Sequence, residues 1–323
     1  MMKRIFWWAG LLLLGGVLSA YLLKNSSFNK VKMNKPIIEV KKERLYADVK
    51  FLTELNPPRQ FQHITSLNKS AEYIYQEFEK VSTRVSFQTF TIDGQEYKNV
   101  ICSMGPETGE RLILGAHYDV CGDQPGADDN ASGVAGLLEI ARLVQEQKIE
   151  LKYRLDFVAF ALEEPPFFKT DGMGSAVHAK SLAKEKVPVK AMICLEMIGY
   201  YSEKKNSQDF PVAAMKAIYP TTANFIAVVG NMGQTSLVSH VKKQMLAGSS
   251  IDVQSLTAPA SVPGVDFSDH LNYWRFNYPA VMITNTSFFR NENYHMPTDT
   301  IDTLDFDKMA EVVKGVFWAL IQF

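Results

Sequence analysis

Histidines and carboxylates recur in this chain where apolar runs end. Arg111–His117 (RLILGAH) is apolar until it delivers His117, and Asp119 follows two residues on. A polar loop then brings Asp128 and Asp129 to the start of a helical pattern. RLDFVAFAL (154–162) ends in Glu163-Glu164, VKAMICL (189–195) ends in Glu196, and PAVMIT runs on toward Tyr294-His295. Singly, each has an ordinary explanation: a hydrogen-bonded structural histidine, carboxylates at a helix N-terminus, a solvated strand end, a salt bridge. Jointly they place acids and imidazoles at or beyond the same end of several strands, where open α/β sheets bind their ligands. Imidazole and carboxylate donors without thiolates suit zinc, with manganese or cobalt a poorer match. The donors exceed the needs of one catalytic ion. They suffice for two ions about 3.5–4 Å apart that share a carboxylate and a water, leaving a neighbouring carboxylate free as a base. An H-E-x-x-H helix is absent, which excludes the thermolysin type of site.

The elements that must position these residues alternate between helical and strand periodicity. Helical spacing covers 38–55, 71–81, 132–147, Gly174–Lys184, 236–246 and Phe306–Ile321. Strand-like runs occupy 86–92, 97–102, Arg111–His117, 154–162, 189–198, 225–229 and Ala280–Thr284. Such alternation predicts an α/β fold, a mostly parallel sheet covered on both faces as a three-layer α/β/α sandwich. The stretch 200–224, rich in Lys, Ser and Pro, reads as a long loop. The last helix, with Phe317, Trp318, Leu320 and Ile321, reads as docked on the core.

The 323 residues carry 34 basic against 35 acidic side chains, so no basic footprint for nucleic acid exists. At 46% hydrophobic the chain is also far from a disordered composition. Residues 5–23 form an uncharged apolar run behind Lys3 and Arg4. As a helix the run would span about 28 Å, close to a bilayer core. The expectation is a transmembrane anchor or signal segment over 1–24, a tether over 25–36 and one catalytic domain over 37–323. The catalytic domain is expected to be exported (periplasmic or extracellular), or secreted if the segment is cleaved. Cys102, Cys121 and Cys194 have no metal-binding or redox spacing. Cys102 and Cys194, in apolar runs, read as small buried hydrophobes.

The ordered set HYD, ADDNASG, EE, LEM, SDH and NYHMPTDT resembles the M28 family of zinc metallo-aminopeptidases, over nearly all of the chain from about residue 40. The stretches GYYSEKKNSQDFP and NFIAVVGN resemble a bacterial subgroup of that family. The resemblance implies the zinc-aminopeptidase (phosphorylase/hydrolase-like) version of the three-layer fold. It implies two zinc ions per chain, one held by His117, Asp129 and Glu196 and the other by Asp129, Glu164 and His295, with Asp129 bridging. Glu163 matches the family's general base. Asp119 would orient His117, and Asp269 matches a motif near the site. The implied substrates are peptides with a free N-terminus, with Met197, Phe288 and Tyr294 as candidate pocket residues. A cis peptide after the bridging carboxylate, at Asp129–Asn130, is also expected. One position departs from the pattern: Glu196 stands where the family usually has aspartate. Glutaminyl cyclases share the fold and the paired glutamates, and a catalytically silent ectodomain would be expected to lose ligands or base.

Overall fold

A computed structural model describes residues 38–323. The proposed anchor and tether lie outside the described residues. Among those described, no helix is long and apolar enough to cross a membrane.

The helices are α1 (Lys42–Thr53), α2 (Ile64–Glu79), α3 (Gly133–Glu146), α4 (Gly174–Lys184), α5 (Thr235–Gly248), α6 (His270–Trp274) and α7 (Phe306–Ile321). The strands are β1 (Val85–Ile92), β2 (Gln95–Met104), β3 (Arg111–His117), β4 (Arg154–Phe160), β5 (Val189–Glu196), β6 (Phe225–Gly230), β7 (Asp252–Thr257) and β8 (Ala280–Thr284). They form one mixed sheet in the order β1-β2-β4-β3-β5-β8-β6-β7. The four central strands, β4, β3, β5 and β8, run parallel. The hairpin β1–β2 joins β4 antiparallel on one side, and β6 joins β8 antiparallel on the other.

Side chains alternate across the central strands as period 2 requires. Leu112, Leu114 and Ala116 of β3, with Ala191, Ile193 and Leu195 of β5, enter the larger core under α1, α2, α3, α5 and α7. Ile113, Met192 and Cys194 face the opposite way, into the smaller core that Ala179 and Leu182 of α4 and Tyr273 of α6 help close. Both faces of the sheet are buried, so these strands read as near-continuous apolar runs. The three-layer architecture expected from the alternation is therefore present. The closing helix docks as expected, with Phe317 fully buried and Leu320 nearly so.

Several boundaries differ from the sequence expectation. Helix α2 starts at Ile64, not 71, because Ile64, Leu67 and Ala71 already follow the helical stripe. Polar neighbours masked that first turn, and two of them, Ser66 and Ser70, are themselves buried. Strands β4 and β5 stop at Phe160 and Glu196, two residues short of the apolar runs. The chain turns sharply there, with positive φ at Leu162 (61°) and Met197 (52°). Edge strand β7 and helix α6 had no expectation, since DVQSLT is mostly polar and a five-residue helix is too short to display a period. The 200–224 stretch is a loop with one 3-10 turn at Ala213–Ala217.

Candidate metal centre

Because β4, β3 and β5 are parallel neighbours, their carboxyl ends lie together. His117 is the last residue of β3, and Gly115 pairs with Cys194, which brings Glu196 at the end of β5 alongside it. The turn after β4 supplies Glu163 and Glu164, and the segment beyond β8 supplies His295. Asp129 comes from the irregular turn Ala127–Ser132 that leads into α3. Gly126 opens this turn at φ 60°, and a Cβ there would stand 2.3 Å from the Asp129 carbonyl oxygen. The Asp129–Asn130 peptide is cis, as expected.

Asp129 points its two oxygens at different imidazoles: Oδ1 is 3.3 Å from His117 Nε2, and Oδ2 is 3.2 Å from His295 Nε2. Glu196 Oε2 stands 3.3 Å from His117 Nε2, and Glu164 Oε2 stands 3.1 Å from His295 Nε2. None of these contacts has hydrogen-bond geometry, and both nitrogens are buried without a partner, as is Glu164 Oε1. Donors about 2.0 Å from a tetrahedral ion lie about 3.3 Å from one another. The spacing and the orphaned atoms thus fit a metal site that His117, Asp129, Glu164, Glu196 and His295 would hold. The donor types suit zinc.

Electrostatics point the same way. Burial pushes Glu163 well above the ordinary carboxylate range, and Glu164, Glu196 and Asp269 add to this against the opposing pull of His117. Glu164 rises to about 8 through burial and the charge of Asp129. His295 rises to about 10, because Asp129 and Glu164 outweigh the effect of burial. Against burial, which would raise it, His117 and His295 hold Asp129 below the ordinary carboxylate range.

Carboxylates behind the donors fix the loops. Asp119 accepts the backbone N–H groups of Glu163 and Glu164, both at 3.1 Å, and stands 3.5 Å from His117 Nδ1. Asp299 does the same for Asp128 and Asp129, both at 3.0 Å. Asp128 in turn receives the N–H groups of Gly199 and Tyr200 and the amides of Asn285 and Asn291. Asn130 clasps the end of β5, donating to Leu195 O and accepting from Met197 N. Ser268 donates to Glu196 Oε2 at 2.7 Å, which anchors the longer side chain at this position. Asp269 beside it is fully buried, its carboxyl lifted to about 7 by burial.

The structure brings together Glu163, His117, Asp129, Glu164, Glu196, His295 and Asp119, with Asp269 close enough to raise Glu163. Sequence reasoning missed three contributors. Asp299 sat within the quoted NYHMPTDT run without a role. Arg59, fully buried, donates to the carbonyls of Tyr118, Leu52, Pro125 and Gly126 and carries a cation close to the acids. Cys121 lies beside Glu164 and His295.

The centre opens into a cleft of about 470 Å³ whose walls include Phe168, Phe267, Phe288 and Tyr294. Phe267 and Phe288 also line a neighbouring apolar cavity of about 660 Å³ with Phe210, Met215 and Tyr219. Of the pocket candidates, Phe288 and Tyr294 do face the cleft. Met197 is wholly buried in the core.

The fold and the carboxyl-end site define an α/β enzyme of the zinc-aminopeptidase type of architecture. The model of peptidase family M28 matches residues 99–319, and the chain belongs to that family. It is 49% identical over 286 residues to the uncharacterized protein YfbL of Escherichia coli K12, covering 86% of this chain and 87% of that protein. It is 26% identical to a probable leucine aminopeptidase of Trichophyton verrucosum, over 90% of this chain and 73% of the relative. Among solved structures, the zinc aminopeptidase BSAP of Bacillus subtilis superposes with a TM-score of 0.70 at 15% identity, covering 89% of this chain and 96% of that one. At that identity the likeness speaks for the fold.

Proposed function

We propose that the protein is a di-zinc aminopeptidase that releases the first residue of peptides with a free N-terminus. The carrying observation is Asp129, whose two oxygens face His117 and His295 separately at 3.3 and 3.2 Å. His117, Asp129 and Glu196 would hold one ion, and Asp129, Glu164 and His295 the other. Two bound dications would lower the pKa of a shared water toward about 7 and polarise the scissile carbonyl. Glu163, adjacent to a ligand but needed by neither ion, accepts the proton of the attacking water and returns it to the departing amine. Asp119 and Asp299 keep the Glu163–Glu164 and Asp128–Asp129 segments in place by holding their N–H groups. The neighbouring apolar cavity, which shares Phe267 and Phe288 with the cleft, would favour substrates whose first side chain is apolar. Residues 1–24 would anchor the domain, with 37–323 exported.

The test uses the purified full chain with a panel of aminoacyl anilides and glutaminyl peptides. Amino-acid release should disappear with a chelator, return with zinc and fail on N-acetylated substrates. Glu163→Gln should keep its zinc and lose about 10²–10⁴-fold in kcat. Pyroglutamate formation without amino-acid release would instead identify a cyclase. Zinc binding without any turnover would leave a binding protein.

A further inference from the structure

Beside Glu164 and His295 lies a donor that this mechanism does not use. Cys121 lies two residues beyond Asp119, the carboxylate that holds the Glu163 and Glu164 N–H groups. Its Sγ, a carboxylate oxygen of Glu164 and a ring nitrogen of His295 all fall within 4.8 Å of one another. Glu164 is 4% exposed with Oε1 unpartnered, and His295 Nε2 is unpartnered as well. The group is therefore a thiol facing two donors that lack partners of their own. A packing role explains Cys102 and Cys194, which are buried in β2 and β5, but not Cys121, which is partly exposed in a loop beside carboxylates.

We propose that Cys121 supplies a thiolate to the ion held by Asp129, Glu164 and His295, so that the two halves of the centre differ in kind. The proposal rests on the di-metal reading above. On the His117–Glu196 side every donor is nitrogen or oxygen. On the other side sulfur joins the donors, and the S–H proton passes to solvent as the metal–sulfur bond forms. Sulfur makes that half selective for zinc or cadmium over manganese or magnesium. The two ions then become distinguishable, with the thiolate half the more resistant to exchange for a hard cation. The spacing of cysteines in the sequence gives no sign of this, because the donors converge from three separate loops.

Cobalt(II) alone is the probe, added to the chelator-stripped full chain. The native chain should develop a near-ultraviolet sulfur-to-cobalt charge-transfer band during the uptake of one of its two equivalents. Cys121→Ser should retain the visible d–d absorption and lose that band. A native chain that takes two equivalents with no such band, or a Cys121→Ser chain that keeps it, overturns the proposal and leaves the di-metal reading standing. A chain that takes up no cobalt overturns both. Should Cys121→Ser fail to fold by circular dichroism, iodoacetamide labelling of the native chain decides. Alkylation at Cys121, located by mass spectrometry, should slow when zinc is bound, and an equal rate with and without zinc overturns the assignment.

Discussion

Two clusters of buried charge contrast in this molecule. Between α1, α2 and α3, Arg142 grips both oxygens of Asp48 at 2.6 and 3.0 Å and reaches Glu77 at 2.9 Å. Tyr73 adds a hydrogen bond to Asp48, and Arg44 and the Lys41 N–H serve Glu139. At the carboxyl ends of β3, β4 and β5, acids outnumber their counter-charges. There both His117 nitrogens, His295 Nε2, Glu164 Oε1 and both oxygens of Asp269 lack hydrogen-bond partners. Buried charge normally persists only when paired or bound to metal. In the helical cluster every carboxylate has a cationic protein partner, with Arg44 Nε the one buried atom left unpartnered, and the pairs tie the helices together. The strand-end cluster leaves several buried polar atoms without a protein partner, as a metal-binding site does.

The contrast predicts opposite phenotypes. Asp129→Asn weakens both halves of the centre at once. Metal analysis of the full chain should fall from two zinc ions to one or fewer, and anilide turnover should drop at least about 10³-fold, with circular dichroism unchanged. Two retained ions in that variant would break the bridging assignment. Arg142→Met in the helical cluster leaves Asp48 buried and unpaired. Urea unfolding should show a loss of about 3–5 kcal/mol, while zinc content and the activity of the folded fraction stay at the native level. A loss of zinc in Arg142→Met would mean that the two clusters are coupled.

Asp119→Asn probes the boundary between the two behaviours, since Asp119 is a hydrogen-bonded group serving the site. It should weaken zinc binding about 10–100-fold, as loss of such supporting partners does, measured by competition with a chromophoric chelator. The smallest effect belongs to Glu196→Asp. Shortening the side chain removes the bond from Ser268 while keeping a carboxylate, so zinc affinity on the His117 side should change by less than about tenfold. A larger loss would show that the longer residue sets the geometry of that half.

Much of the centre was readable in the sequence because a buried parallel strand is a continuous apolar run, so the first charged residue after it is conspicuous. His117, Glu163, Glu164 and Glu196 all announce themselves this way. Asp129 was readable from the acidic turn ahead of a glycine-led helix. Asp299, Arg59 and Cys121 were not, because their roles depend on loops that meet only in the folded chain. Asp299 earns its place through two backbone N–H groups some 170 residues away, and no local pattern encodes that. Helix α2 shows a related loss in the fold: Ser66 and Ser70 are buried polar residues on its inner face, so the apolar stripe looked shorter than the helix. The strand order, with an antiparallel hairpin on one side of four parallel strands and the parallel pair β6–β7 joined antiparallel to β8 on the other, likewise depends on pairing rather than on period.

The central claim is that Asp129 bridges two metal ions, and anomalous diffraction at the zinc edge from crystals of the zinc-loaded protein tests it most directly. Two peaks about 3.5–4 Å apart are expected, one on either side of the Asp129 carboxylate, the first beside His117 and Glu196 and the second beside Glu164 and His295. A single peak, or a pair not separated by Asp129, would contradict it.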